Sequence, residues 1–165
     1  MSTGIVYLRP SPVLFVRARG LAQTASSEAW SKLLSWAEAK GARGDIVRSY
    51  GLLRDHAGAT GALECRYDAC IEAPADLVED PVAGIGMQML PGGAYVRHRH
   101  TEGRDKIATA LQWLCSEWAP GRNMGVDAAR PMLEVYLCDP LKPANGRLRM
   151  DICVPVAAAS NRRVA

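Results

Sequence analysis

Glu134 is the residue of this chain best placed to do chemistry. It lies in the run Leu133-Glu134-Val135-Tyr136, whose alternation predicts a strand. A carboxylate buried in a sheet is costly unless it is paired or neutralised. Either an arginine of the same face, such as Arg66 or Arg149, pairs with it, or a ligand cation does. A closed groove of low dielectric would strengthen that attraction. Tyr50, Tyr95, Tyr136 and Phe15 fall, by alternation, on the face expected to hold Glu134. Aromatic faces attract cations by about 0.5–2 kcal/mol each. Trp36 and Trp113 sit off the stripes of two predicted helices and complete the candidate binding set. Glu134, with a tyrosine such as Tyr136 or Tyr95 beside it, is also the one candidate base or nucleophile if the chain is a hydrolase.

Other chemistry is poorly supported. His98 and His100 face the same way on a predicted strand, but no third ligand accompanies them. No metal and no cofactor is expected. There is no G-x-S-x-G elbow, P-loop or G-x-G-x-x-G. Five cysteines, an odd number without a C-x-x-C pair, argue against a disulfide framework and a zinc site. Reduced thiols in a cytoplasmic protein are the expectation. Nothing resembles a signal peptide, and no run approaches the roughly 18 apolar residues of a membrane helix. Hydrophobic residues make up 48% and charged residues 22%, ordinary for a globular domain. The net charge of +3 comes from scattered basic residues that often sit beside acids. Direct nucleic-acid and membrane partners are therefore not expected.

The elements that must position these residues come in two similar series. A strand is predicted at 13–19. A helix follows, from a cap at Ser26 or Ser27 to about Lys40, with stripe Trp30, Leu33, Leu34 and Ala37. Strands at 49–54 and 63–73 flank a turn at 55–62, and 74–84 is a connector. The second series has a short strand at 85–90, a turn at Pro91-Gly92-Gly93, a strand at 94–100 and a helix at 104–118. The helix stripe is Ile107, Ala110, Leu111, Leu114 and Trp118. A long connection, Pro120 to Arg130, leads to strands at 132–138 and 147–156, joined by a turn at 139–146. The run Arg66-Tyr67-Asp68-Ala69-Cys70 shares R-x-D-x-C with Arg149-Met150-Asp151-Ile152-Cys153. Val16-Arg17 matches Val96-Arg97, Trp36 matches Trp113, and Asp55 matches Asp139.

Such self-similarity predicts a duplication. The expected fold is α+β: two β-α-β-β repeats with pseudo-twofold symmetry, forming an antiparallel sheet with helices on one face. A central ligand groove is expected where the copies meet. One domain should span 1–165, with repeat one at about 5–75, repeat two at about 85–156 and a frayed tail at 157–165. Two aliphatic sets are expected against the helices: Leu133, Val135 and Leu137, and then Leu148, Met150, Ile152 and Val154. The mixed polar and aromatic face should be open. Arg66 with Asp68, and Arg149 with Asp151, should form charged ladders across neighbouring strands. Cys70 and Cys153 suit small, semi-buried positions, and an exposed strand edge would permit a dimer.

Several of these segments together resemble a known family. The stretch SYGLLRDHAGATGALECRYDACI, the turn-strand PGGAYVRHRH, the helix tryptophan and the Leu133-Glu134-Val135-Tyr136 motif are similar, in order and spacing, to a GyrI-like domain. That is the small-molecule-binding fold of DNA gyrase inhibitory protein and of the effector domains of multidrug-responsive transcription activators. The resemblance covers roughly residues 5–156. It implies two β-α-β-β repeats around a central groove, where a glutamate at the position of Glu134 faces a cationic or aromatic ligand. A stand-alone binding module for an amphipathic, cationic, drug-like molecule is the leading expectation. The resemblance also admits DNA gyrase as a protein partner, and hydrolysis of reactive cyclopropane-bearing compounds by a groove glutamate.

Overall fold

The computed structural model describes residues 2–55, 65–72 and 75–159. Its strands are β1 (Thr3–Leu8), β2 (Ser11–Gly20), β3 (Arg48–Leu53), β4 (Cys65–Glu72), β5 (Gly86–Leu90), β6 (Gly93–His100), β7 (Met124–Val126), β8 (Met132–Tyr136) and β9 (Met150–Ala158). Its helices are α1 (Ala22–Ala39) and α2 (Ile107–Trp113). The nine strands form one antiparallel sheet in the order β1-β6-β9-β8-β3-β4-β2-β5, with β7 added to β9. The fold is therefore α+β. No described helix is long and apolar enough to cross a membrane.

The strand order holds an arrangement that the sequence reading missed. Only Arg9 and Pro10 separate β1 from β2, yet the two strands lie towards opposite ends of the order. The same is true of β5 and β6, which Pro91 and Gly92 separate. Register explains this: Leu8 faces Gly93 and Ser11 faces Leu90, so one antiparallel register continues through the break. β1–β2 and β5–β6 are two long strands that stay paired while they bend. Proline lacks the N–H that a ladder needs and suits such a break. Gly92 is required by close approach, since a Cβ there would lie 2.6 Å from Pro10 Cδ and 2.7 Å from the Leu8 carbonyl. The bend brings Leu8 and Leu90 into one apolar cluster with Tyr50, Leu133 and Val135.

The helices cover the other face. Trp30, Leu33, Leu34 and Ala37 of α1 are buried, as their spacing predicts, and join Val16, Tyr67, Ile71 and Val154 in the larger core. α1 begins at Ala22 rather than at Ser26 or Ser27, and Ser26 is buried within it. Ala25 and Ala29 extend the apolar stripe backwards, so the helix starts a turn earlier. The single helix expected at 104–118 is three segments: a 3-10 turn at Arg104–Lys106, α2, and a π-helical turn at Leu114–Trp118. After Ala119, Pro120 opens one more 3-10 turn, Pro120–Arg122, a first-turn position that suits proline. The long connection to Arg130 contains β7, which pairs with the end of β9. Residues 157–158, expected in a frayed tail, are thereby part of the sheet; 160–165 lie outside the described residues. So do His56, most of the turn expected at 55–62 and the ends of the strand expected at 63–73.

Candidate functional site

β8 lies mid-sheet between β9 and β3, and its side chains alternate as expected. The faces are reversed from the expectation. Tyr136 joins Trp30 and Tyr67 in the helix-side core, whereas Leu133 and Val135 pack with Tyr50, Tyr95 and Cys153 on the far side. The expectation holds for Leu148, Met150, Ile152 and Val154, which lie in the helix-side core. The physical reason is that both faces are covered, one by helices and the other by the bent strands. Aliphatic character therefore does not mark the helix side.

Glu134 is 1% exposed. Its Oε1 accepts hydrogen bonds from Tyr67 Oη at 2.6 Å and Tyr136 Oη at 2.8 Å. Each hydroxyl has one proton, so both are committed to the carboxylate, and each tyrosine oxygen accepts in turn. Trp30 Nε1 donates to Tyr67 Oη at 2.8 Å, and Arg104 Nη2 donates to Tyr136 Oη at 2.8 Å. The other guanidinium nitrogen, Arg104 Nη1, stands 3.7 Å from Glu134 Oε2. The Trp30 ring meets Tyr136 edge-on, with centroids 5.3 Å apart, a geometry that contributes about 0.5–1.5 kcal/mol. Gly51 faces Glu134 across β3 and β8. A Cβ at Gly51 would collide with Tyr67 Oη and lie 2.5 Å from Glu134 Oε1.

Electrostatics keep the two phenols and the guanidinium protonated. Burial and the Glu134 charge push the phenols of Tyr67 and Tyr136 well above their ordinary pKa, so they remain donors. Burial works against the charge of Arg104, but the oxygens of Tyr136, Glu134 and Tyr67 outweigh it and raise its pKa. The arrangement can hold a positive charge against Glu134, with aromatic rings on several sides.

Of the seven candidate binding residues, the structure brings together Glu134 and Tyr136. Tyr50, Tyr95 and Phe15 lie on the opposite face. Tyr50 Oη donates to Glu72 Oε1 at 2.7 Å, and burial with that carboxylate pushes its pKa up to about 12. Tyr95 is buried 4.9 Å beneath the Arg130 guanidinium, and Phe15 lies 5.7 Å from that of Arg17. Trp36 donates to Asp80 Oδ2 in the connector at 3.1 Å, and Trp113 packs on the His98 ring. The cation beside Glu134 is Arg104, not Arg66 or Arg149; Arg66 pairs with Asp55 at 3.0 Å. The charged ladders form with other partners than expected. Asp68 pairs with Arg17 and Arg54, and Asp151 with Arg99. Arg99, not Arg97, therefore stands in the sheet where Arg17 does. Among the described residues, no group of three His, Cys, Asp or Glu is arranged to hold a metal ion.

Trp30, Tyr67 and Arg104 were missed as site residues. Tyr67 had a usable signal, because Tyr67, Ala69 and Ile71 alternate with Arg66, Asp68 and Cys70 and form the apolar face of β4. Trp30 read simply as part of a helix stripe. Arg104 has no pattern around it, and only the turn before α2 aims it at the cluster.

The GyrI-like small molecule binding domain family matches residues 1–157. The chain belongs to the GyrI-like family. No curated protein sequence matches it. Among solved structures, the C-terminal domain of EcmrR superposes with a TM-score of 0.74 at 14% identity, covering 95% of this chain and 98% of that one. A hydrolase from Listeria innocua superposes at 0.61 and 13%, covering 94% and 91%. SAV2435 bound to tetraphenylphosphonium superposes at 0.54 and 10%, covering 99% and 98%. At these identities the similarity establishes a shared GyrI-like fold.

Proposed function

We propose that this GyrI-like chain binds an amphipathic aromatic cation. Glu134 supplies the counter-charge, and Trp30, Tyr67 and Tyr136 supply the surrounding rings. One observation carries the reading. A fully buried carboxylate is satisfied by two phenols, while the one cation within 4 Å of it among the described residues stands 3.7 Å away and is anchored to Tyr136 instead. Arg104 reaches in from a short turn and remains 24% exposed. It holds the place of a ligand cation and leaves when one arrives. The parallel orders β2-α1-β3-β4 and β6-α2-β8-β9 support reading the chain as two copies of one unit, with Glu134 close to their junction. That SAV2435 is known bound to tetraphenylphosphonium, a cation wrapped in aromatic rings, supports the same ligand class.

The test is a thermal-shift titration with tetraphenylphosphonium, cationic aromatic dyes, neutral isosteres and anions, on wild type and Glu134→Gln. Ligand at 100 times its Kd adds about 2.7 kcal/mol of stability. Micromolar binding, about −8 kcal/mol, is expected. Stabilisation by cations that is lost in the variant supports the reading. Equal stabilisation of both proteins removes Glu134 from the site, and no response to any cation removes the function.

A second reading rests on the 2.6 Å contact between Tyr67 and Glu134. Beside a fold shared with a Listeria innocua hydrolase, this contact supports Glu134 as base or nucleophile and a phenol as proton donor for an electrophilic small molecule. Turnover of strained-ring or ester substrates by wild type, abolished in Glu134→Gln, would establish it.

A further inference from the structure

The two halves treat one position of the sheet differently. In the first half, Asp68 faces Arg17 on β2 and Leu52 on β3. Arg54, two residues beyond Leu52, and Gln88 of β5 close over the carboxylate. In the second half, Asp151 faces Arg99 on β6 and Val135 on β8. By the same register, Leu137 stands where Arg54 does and Val6 where Gln88 does. Phe15, which faces Cys70, is replaced by Arg97, which faces Cys153.

These three exchanges open a cavity of about 890 Å³ on the sheet face turned away from the helices. Val6, Val135, Leu137 and Cys153 wall it, and Arg48, Arg97, Arg99 and Asp151 line it. Arg99 is used by Asp151 at 2.5 Å. Arg97 has no acidic partner among the described residues, and Arg48 faces Glu72 across β3 and β4, a carboxylate already engaged by Tyr50 and Ser11. The cavity adjoins a second one of about 340 Å³, sharing Tyr7, Leu8, Arg48 and Val135 with it and ending at Glu72 beneath the bend. The whole is a trough with an apolar floor, in which Arg9, Arg48, Arg97 and Arg99 outnumber Asp151 and Glu72.

We propose that this trough is a second binding site, for an amphipathic organic anion. Its carboxylate or phosphate head group lies between Arg97 and Arg48, and its apolar tail runs along Val6, Leu8 and Val135. The charge selects the class. Guanidinium groups recognise both head groups in a planar, paired fashion, and a concave, largely apolar wall with a few polar groups is the ordinary form of a small-molecule site. The site lies on the opposite face of β8 from Glu134, so it does not depend on the cation reading.

The experiment is calorimetric titration of the full chain with octanoate and octyl phosphate, both below micelle-forming concentration. Acetate and inorganic phosphate serve as tail-free probes, and octyltrimethylammonium as the charge-reversed control. Wild type is expected to bind at least one octyl anion saturably, and the tail-free probes and the ammonium at least about tenfold more weakly, a difference of about 1.4 kcal/mol. The tighter of the two anions identifies the head group. Arg97→Gln and Arg48→Gln should each weaken binding about tenfold, with Arg97→Lys retaining most of it. Val6→Gln, Arg97→Phe and Leu137→Arg together, which restore the arrangement of the first half, should abolish binding. Circular dichroism and Tm show that each variant is folded, and Arg97→Lys keeps the test decisive should Arg97→Gln not fold. Absence of saturable binding of either octyl anion to wild type overturns the proposal. So does unchanged binding by both glutamine variants, or equal binding of the ammonium.

Discussion

Asp68 in the first half is fully buried and accepts hydrogen bonds from Arg17, Arg54 and Gln88. Asp151 in the second half, 7% exposed at the edge of the cavity, has Arg99 alone among the described residues. Both carboxylates belong to an R-x-D-x-C run on a central strand, so their sequence context is nearly the same. Their surroundings differ because of residues elsewhere, on β3, β5, β6 and β8. A carboxylate removed from water needs several donors to offset its lost hydration. One at the edge of a cavity needs only one, since water supplies the rest. The comparison shows one register met twice, closed with polar side chains in the first half and left hollow in the second.

Removing the two carboxylates in turn should give the largest contrast. Asp68→Ala strips Arg17, Arg54 and Gln88 of a shared acceptor and should cost about 3 kcal/mol. Asp151→Ala loses one charge-assisted hydrogen bond to an arginine that is already 41% exposed and should cost less, about 1.5 kcal/mol. Urea unfolding measures both, and equal losses would erase the distinction. Arg54→Leu gives the first half the leucine of the second and should cost about 1.5–3 kcal/mol, the range for hydrogen bonds to a charged group.

Acid titration sharpens the same comparison. Burial alone would raise the pKa of Asp68, but Arg17, Gln88 and Arg54 outweigh it and hold it below the ordinary carboxylate range. A depressed folded-state pKa contributes stability that is fully present above the unfolded value of about 3.9. It is lost as the pH falls through the lower, folded-state value. The urea midpoint should therefore drop below about pH 4 in wild type, and drop less in Asp68→Asn. The smallest effect is expected at the junction of the halves. Trp30→Phe removes one neutral hydrogen bond, to Tyr67 Oη, and should cost about 1 kcal/mol by the same measurement.

Much of the frame was legible because it depends on local pattern. The stripe of α1, the strands at β3, β4, β8 and β9, and the paired order of elements all follow from side-chain periodicity. Glu134 and Tyr136 were legible as neighbours on one strand face. What lay on either side of that face was not. Alternation separates Leu133 and Val135 from Glu134 and Tyr136, but it cannot say which set meets the helices when both faces are covered. β1 escaped notice because Arg9, Pro10 and Pro12 break the apolar run beside it, and its partner β6 is distant in sequence. Arg104 escaped because a guanidinium at a helix start has no periodic signature, and only the folded turn shows what it reaches.

The continuous register through Pro10 and Gly92 also orders events in time. Thr3 Oγ1 meets His98 Nδ1 across 95 positions of chain, whereas the pairings of β2 with β4 and of β8 with β9 close far shorter loops. Long loops close at greater entropic cost and form late. Each half can assemble first, and β1 then waits without a partner until β6 exists. Until the two long strands zip together, Leu8 and Leu90 do not cover Leu133 and Val135, and the nascent chain carries a bare apolar patch beside an open strand edge. That is the stage at which this protein is most prone to aggregate. Its yield on refolding should therefore fall with concentration more steeply than its final stability would suggest.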